Sequence, residues 1–444
     1  MGIIMEQIFN KISDKLYSDL KNDENLTLSL QGENSQYLRV NNAKVRQAGL
    51  VNNTDLAFDF IYNKRNCQGQ ITLSGDYDND YQRATEELNR LRAEIVQLPE
   101  DPFIVLPENT GSTRESKSAN GLDIDKAVDA LLPIMAGVDL VGIWSSGRIF
   151  SGSSNSAGQK HWFETDTYSL DFSLVNKDHK MVKGTFAGSD WDQSKYESYI
   201  NDAKLKLELM NKKPVKMKPG KYRTWFESKA VADFLSMFSW QGVSEANIRQ
   251  GSSAFIKMRD EDIKLSPLFS LNEDFRPGLV PRFNERGEIA PENLSVIEKG
   301  NLVNTMISSR TAKEYKVESN NASGEEYLRA PKMAVGNLTD DKVLNELGTG
   351  LFLSNLHYLN WSDNIGGRIT GLTRYACFWV ENGEIVGPIE TMRFDDTIYN
   401  LFGSELEAVG DNVKINPEVE TYEGRQYGNI TCPGMLVKSF ELTL

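Results

Sequence analysis

Residues 378–389, FWVENGEIVGPI, constrain this chain more than any other stretch. Phe378 and Val380 lie in one apolar run and Ile385 and Ile389 in the next, with Glu381-Asn382-Gly383-Glu384 between them. Asn-Gly between such runs predicts a β-hairpin, because a type I′ turn needs φ > 0 at both central residues. Alternation puts Phe378 and Val380 on the face opposite Trp379. Upstream, Gly366, Gly367, Arg368, Thr370, Gly371, Thr373 and Arg374 form a polar strand region punctuated by glycine.

Further patterns divide the 444 residues. The start, MGIIMEQIFNKISDKL, reads as an amphipathic helix with Ile4, Ile8, Ile12 and Leu16 on one side, and no cleavage site follows it. Strand-like runs LTLSL, QYLRV, DLAFDFIY and GQITLSG follow, separated by turn residues such as Asn41-Asn42 and Asn52-Asn53. Tyr81, Ala84, Leu88, Leu91, Ile95 and Leu98 then step by three and four to Pro99, a helix and its stop. PENTGSTRESKSAN, residues 107–120, reads as a linker or exposed loop. A second helix near 124–132, strands over 138–186 and a helix from about Ser194 to Met210 complete a central region, and NKKPVKMKPG reads as a hinge. Beyond it come strand YRTWF and a helix from Ser228 to Trp240 with Val231, Phe234, Leu235 and Phe238 inward. The rest, including GNLVNTMISSRTAKEY and MLVKSFELTL, reads mainly as short strands. The predicted fold is α+β: N-terminal (1–106) and central (107–217) α+β regions, then a mainly-β, barrel- or sandwich-like C-terminal domain (218–444) with one inserted helix.

The formal net charge of −14 argues against nucleic-acid binding through a broad basic face. No run of 18 apolar residues is present, so no membrane helix is predicted. Three scattered cysteines, Cys67, Cys377 and Cys432, make no disulfide framework and suit a reducing cytoplasm.

Glu381-Asn382-Gly383-Glu384-Ile385 with Pro388, read with the glycine-rich strand before it, resembles the C-terminal domain of the TldD/PmbA family of metallopeptidase-related proteins, also called modulators of DNA gyrase. Ser145–Phe150 with Ser153-Ser154, Tyr222–Phe238, Gly251–Phe255, and Gly300–Asn304 with Arg310–Ala312 resemble further family segments in the same order. The resemblance implies a zinc site built from H-E-x-x-x-H on the first C-terminal-domain helix plus a cysteine near the C-terminus. Zinc takes N and S ligands and activates a water at an open position. Here the corresponding stretch reads Ser236-Met237-Phe238-Ser239-Trp240-Gln241, and no cysteine lies around Tyr422–Arg425. Cys432 sits downstream of that place. The pattern resembles the PmbA (TldE) subfamily, which lacks the ligands. The resemblance therefore implies no catalytic residue, metal or cofactor in this chain, with zinc in a TldD-type partner.

Of three histidines, His161 forms an i, i+3 pair with Glu164 in a strand, where the two face opposite sides. His179 sits in a solvated turn, and His357 lies among polar and aromatic residues. Asn355, His357, Asn360, Trp361, Arg368, Thr370, Arg374 and Tyr375 are the candidate residues for binding substrate or a partner, as a peptide groove or as the polar edge of a core. Three functions stay open. One is a TldE-like subunit that handles peptides or unfolded proteins beside a TldD-like subunit. Another is a homodimeric regulator with no direct nucleic-acid contact. The third is an autonomous hydrolase using a set such as His357 with Asp363.

Overall fold

A computed structural model describes residues 2–422 and 424–443, with side chains from Met5 onward. The predicted helical stripe at the start falls in α1 (Gly2–Ser18), where Ile8, Ile12 and Leu16 are buried. The side chain of Ile4 lies outside the described residues.

Seven strands build the first sheet: β1 (Asn25–Asn41), β2 (Lys44–Tyr62), β3 (Arg65–Thr72), β4 (Thr113–Lys117), β5 (Asp139–Asn155), β6 (Lys160–Val175) and β7 (Met181–Gly188). Their order is β3-β2-β1-β5-β6-β4, with β7 also on β6. LTLSL and QYLRV are thus one strand rather than two. Asn52-Asn53 is not a turn but the middle of β2, opposite Asn34 and Glu33. The segment expected to be a loop carries β4, which pairs in parallel with His161–Thr165 of β6. Alternate residues Leu26, Leu28, Leu30, Leu38 and Val40 of β1 carry the buried stripe. Helices α1 and α2 (Tyr77–Glu94) cover one part of it, with Phe9, Leu88 and Leu91 packed around Leu28 and Phe58. Helices α3 (Ala127–Met135) and α4 (Gln193–Leu209) cover the other, where Leu131, Tyr196 and Ile200 meet Trp144 and Leu170.

The rest of the chain holds β8 (Gly220–Phe226), β9 (Leu271–Asp274), β10 (Asn293–Glu298), β11 (Asn301–Leu302), β12 (Pro331–Met333), β13 (Gly350–Asp363), β14 (Arg368–Glu381), β15 (Glu384–Pro388), β16 (Arg393–Thr397), β17 (Leu406–Val409), β18 (Lys414–Pro417), β19 (Asn429–Cys432) and β20 (Met435–Leu442). Strands β13, β8, β20, β16 and β14 follow one another, and β14 pairs back onto β13. This closes a five-stranded barrel, which removes the sheet edges that invite aggregation. A second sheet runs β11-β10-β9-β12-β19-β18. The α+β class and the mainly-β C-terminal barrel are therefore as the sequence implies. Residues 309–315, read as strand, form a short helix instead, because Ser308 caps it by accepting from Thr311 N.

The turn of the β14–β15 hairpin has φ of +50° at Asn382 and +80° at Gly383, as Asn-Gly predicts. Phe378 and Val380 are fully buried, and Trp379 faces the other way. The 211–220 hinge is pinned to this hairpin: Val215 N donates to Pro388 O at 2.8 Å and Lys212 Nζ to Ile385 O at 2.6 Å.

Helix α5 (Ser228–Ser239) links the fold to the site. Its apolar face, Val231, Phe234, Leu235 and Phe238, is fully buried. Phe234 meets Phe226 edge-on at 5.3 Å and Phe394 at 5.9 Å, and Phe238 meets Phe402 at 5.2 Å. Burying each such side chain contributes roughly 1.5–3 kcal/mol, so this face fixes the helix against the barrel and leaves its other face free for chemistry.

Candidate functional site

The free face of α5 opens on a cleft of 750 Å³. Lys229, Asp233 and Ser236 stand at i, i+4 and i+7, one side of a helix, and all three line the cleft. The other walls come from Ser29–Glu33 of β1, Asn53 and Asp55 of β2, and the segments 280–285, 327–331, 416–419 and 424–430. The site is thus built from parts of the chain nearly 400 residues apart.

Each wall is held by buried hydrogen bonds. The Arg425 guanidinium reaches back into the first sheet: Nη1 donates to Gly147 O at 3.0 Å and Ser35 Oγ at 3.3 Å, and Nη2 to Thr167 O at 2.8 Å. This fork ties the 416–430 segment across the cleft. Arg329 does the same for the 280–285 wall, donating to Phe283 O at 2.8 Å, Arg282 O at 2.9 Å and Pro281 O at 3.2 Å. Asn416 Nδ2 joins Ser228 Oγ at 2.9 Å and Ile430 O at 3.1 Å, clamping the start of α5 to β18 and β19.

On α5 itself Lys229 Nζ lies 2.9 Å from Asp233 Oδ1. Burial works against the charge on Lys229, but the Asp233 carboxylate outweighs it and holds the ammonium above its ordinary pKa. Burial pushes the Asp233 carboxyl up, and Lys229 and the Leu356 N–H pull against it.

These residues do not suit zinc. The cleft face of α5 presents an ammonium, which repels a cation, beside a carboxylate already bound to it. The Cys432 thiol is buried, pushed up to about 12 by that burial, and donates to Ser228 O at 3.2 Å. It is a protonated structural thiol rather than a thiolate ligand. Among the described residues, no group of three His, Cys, Asp or Glu is placed to hold a metal ion. Within the corresponding stretch 236–241, Ser236 and Ser239 line the cleft and Met237 and Phe238 are core residues; Lys229 and Asp233 carry the same cleft face back toward the start of α5. The signal available in the sequence was the polar Lys-x-x-x-Asp-x-x-Ser spacing opposite the apolar stripe.

The eight candidate residues from 355–375 lie on β13 and β14, and none lines this cleft. They form two groups. His357 packs against Tyr358 at 4.1 Å and Tyr375 at 6.2 Å, and the Arg374 guanidinium lies over the Tyr375 ring at 5.4 Å. Burial, then Arg374 and Lys183, push the His357 pKa down. Tyr358 and Tyr375 carry φ of +52° and +70°, strained values for such residues. Further along, Trp361 Nε1 donates to Trp240 O at 2.8 Å, Arg368 pairs with Asp395 at 2.8 Å, and Thr370 Oγ1 donates to Phe394 O at 2.8 Å. Asn360 stands opposite Thr370 and is exposed, whereas Asn355 is buried. His161 is a satisfied core residue: its Nδ1 accepts from Thr113 N at 3.1 Å and its ring stacks on Phe283 at 5.1 Å.

Residues 219–444 match the family model described as the PmbA/TldA metallopeptidase C-terminal domain. The chain belongs to the TldD/PmbA family. Its relatives include the metalloprotease PmbA homolog of Haemophilus influenzae, 23% identical in an alignment of 324 residues that covers 68% of this chain and 69% of that one. The metalloprotease PmbA of Escherichia coli is 26% identical over 155 residues, 35% of this chain and 32% of that one. Among solved structures, a putative modulator of a DNA gyrase from Thermotoga maritima superimposes with a TM-score of 0.77 at 16% identity, over 98% of this chain and 100% of that one. TldE from Thermococcus kodakarensis does so with a TM-score of 0.77 at 14% identity over the same shares. At these identities the structures show a shared fold. The chain belongs to a metallopeptidase family, and this chain itself lacks the H-E-x-x-x-H motif.

Proposed function

We propose that this chain is a TldE-like, non-catalytic subunit that holds peptides or unfolded segments in the α5 cleft beside a zinc-bearing, TldD-type subunit. The observation that carries this reading is that the end of α5 has Ser236–Gln241 in place of H-E-x-x-x-H, while the cleft face of the same helix carries the Lys229–Asp233 ion pair. An ion pair there supplies neither ligands nor a general base, yet the cleft around it is large and polar. A volume of this size falls within the roughly 300–1,000 Å³ of ligand-binding clefts. The second surface, around His357, Arg374 and Tyr375, is offered in the same proposal as the contact for a partner subunit. Its strained tyrosines, and an Arg374 with no described acidic partner, are the support. No described helix is long and apolar enough to cross a membrane; a cytoplasmic home and the three-unit division at 106/107 and 217/218 are part of the proposal.

The test is affinity capture of the tagged chain from its native lysate, with metal analysis and a peptidase assay on what is recovered. The expected result is a co-purifying chain bearing H-E-x-x-x-H, zinc and cleavage of unstructured peptides in the complex, and neither zinc nor cleavage in this chain alone. Stoichiometric zinc and cleavage in the isolated chain would overturn the reading.

A further inference from the structure

The charges of the α5 cleft are unevenly spent. Three cations line it, Lys229, Arg329 and Arg425. The two guanidiniums give their Nη donors to backbone carbonyls and hydroxyls that hold the walls. Lys229 is held by Asp233 in the only ion pair among the described lining residues. Among the described residues, four further carboxylates line the same cleft: Glu33, Asp55, Glu285 and Glu418. Each accepts hydrogen bonds from neutral groups alone. Glu33 accepts from Tyr37 at 2.9 Å, Asp55 from Thr72 at 2.7 Å, Glu285 from Gly324 N at 2.7 Å and Glu418 from Val419 N at 2.9 Å. Asp55, Glu418 and Glu285 come from three different segments of the lining: β2, residues 416–419 and residues 280–285.

A ligand entering this cleft meets negative charge on several sides and no uncommitted cation. An anionic ligand would be repelled. A point cation such as a metal ion finds no three acids gathered to hold it among the described residues. Carboxylates spread along a cleft suit a ligand whose positive charges are also spread along its length. We infer that the cleft selects cationic, extended peptide segments, those rich in lysine and arginine. This rests on the groove reading above and adds its substrate class. Asp55, Glu285 and Glu418 are the residues that set the selectivity. Glu33 is not included because it is buried and holds Tyr37 and the Arg425 backbone N–H.

The experiment is fluorescence anisotropy with the full chain and three labelled, unstructured peptides of equal length: lysine-rich, uncharged and glutamate-rich. The lysine-rich peptide should bind about tenfold or more tightly than the uncharged one, with affinity falling as salt rises. The triple variant Asp55→Asn, Glu285→Gln, Glu418→Gln should abolish that preference, so that lysine-rich and uncharged peptides bind the variant equally. A matched variant, Asp260→Asn, Glu261→Gln, Asp262→Asn, removes the same charge from an exposed cluster outside the cleft and should change nothing. Equal binding of lysine-rich and uncharged peptides would overturn the selectivity and leave the groove standing. Equal weakening by both variants would show attraction to the whole acidic surface and overturn the inference. No binding of any peptide would overturn the groove and the selectivity together.

Discussion

Arg425→Ala should loosen one wall of the cleft without unfolding the barrel. Arg425 is 8% exposed, and its guanidinium donates to Ser35 Oγ, Gly147 O, Thr167 O and Thr167 Oγ1. The substitution strips those acceptors of a charged donor. A hydrogen bond to a charged group contributes about 1.5–3 kcal/mol, but the four are not additive. Water can enter from the neighbouring cleft and replace part of the loss. A cost of about 1–3 kcal/mol follows, the penalty for buried acceptors left without their donor. The loss should be local, because the guanidinium joins the 416–430 segment to the first sheet rather than filling a core. The assay is native-state hydrogen exchange. The Glu418 N–H, which donates to Gly428 O at 2.9 Å, should exchange much faster in the variant. Amides of β1 paired to β2 should keep their protection. Arg425→Lys should rescue little, since one ammonium cannot span acceptors on three residues. Unchanged protection at Glu418 would refute the role assigned to this fork, and uniform loss across β1 and β2 would refute its locality.

Gly383→Val should cost about 1–3 kcal/mol, read from the urea midpoint, because φ is +80° there; an unchanged midpoint would contradict the turn. The Arg276 guanidinium holds the Asp274 carboxyl at about 2, with Lys332 adding to it and burial opposing. A carboxyl depressed on folding stabilises the protein above its unfolded pKa of 3.8. The wild type should therefore lose about 2 kcal/mol more than Asp274→Asn between pH 4 and pH 2, measured by thermal midpoints; parallel curves would refute the assignment. Arg368→Ala should cost about 0–1 kcal/mol, since its pair with Asp395 is partly solvent-exposed. Arg374→Ala should instead weaken assembly with a partner subunit in analytical ultracentrifugation and leave the melting temperature in place. A fold-wide loss of stability would make Arg374 structural.

What the sequence showed and what it hid divide along a physical line. The Asn-Gly hairpin, the α2 stripe ending before Pro99 and the inward face of α5 are local patterns, and each appears where its periodicity predicts. The cleft is not local. Gln31, Glu33, Asn53 and Asp55 come from the middles of β1 and β2, and Lys229 and Asp233 from a helix about 170 residues later. The breaks expected within these strands fall at those polar residues: between LTLSL and QYLRV, and at Asn52-Asn53. They are polar because they face a solvated cleft, not because the chain turns. Polarity in mid-strand reads as a turn when no partner strand is known. The same polar residues therefore make two long strands look like three short runs and leave the cleft invisible in the sequence. The same cause makes 355–375 conspicuous, where polar residues are dense along the chain, and α5 inconspicuous, where Lys229, Asp233, Ser236 and Ser239 come together only in space.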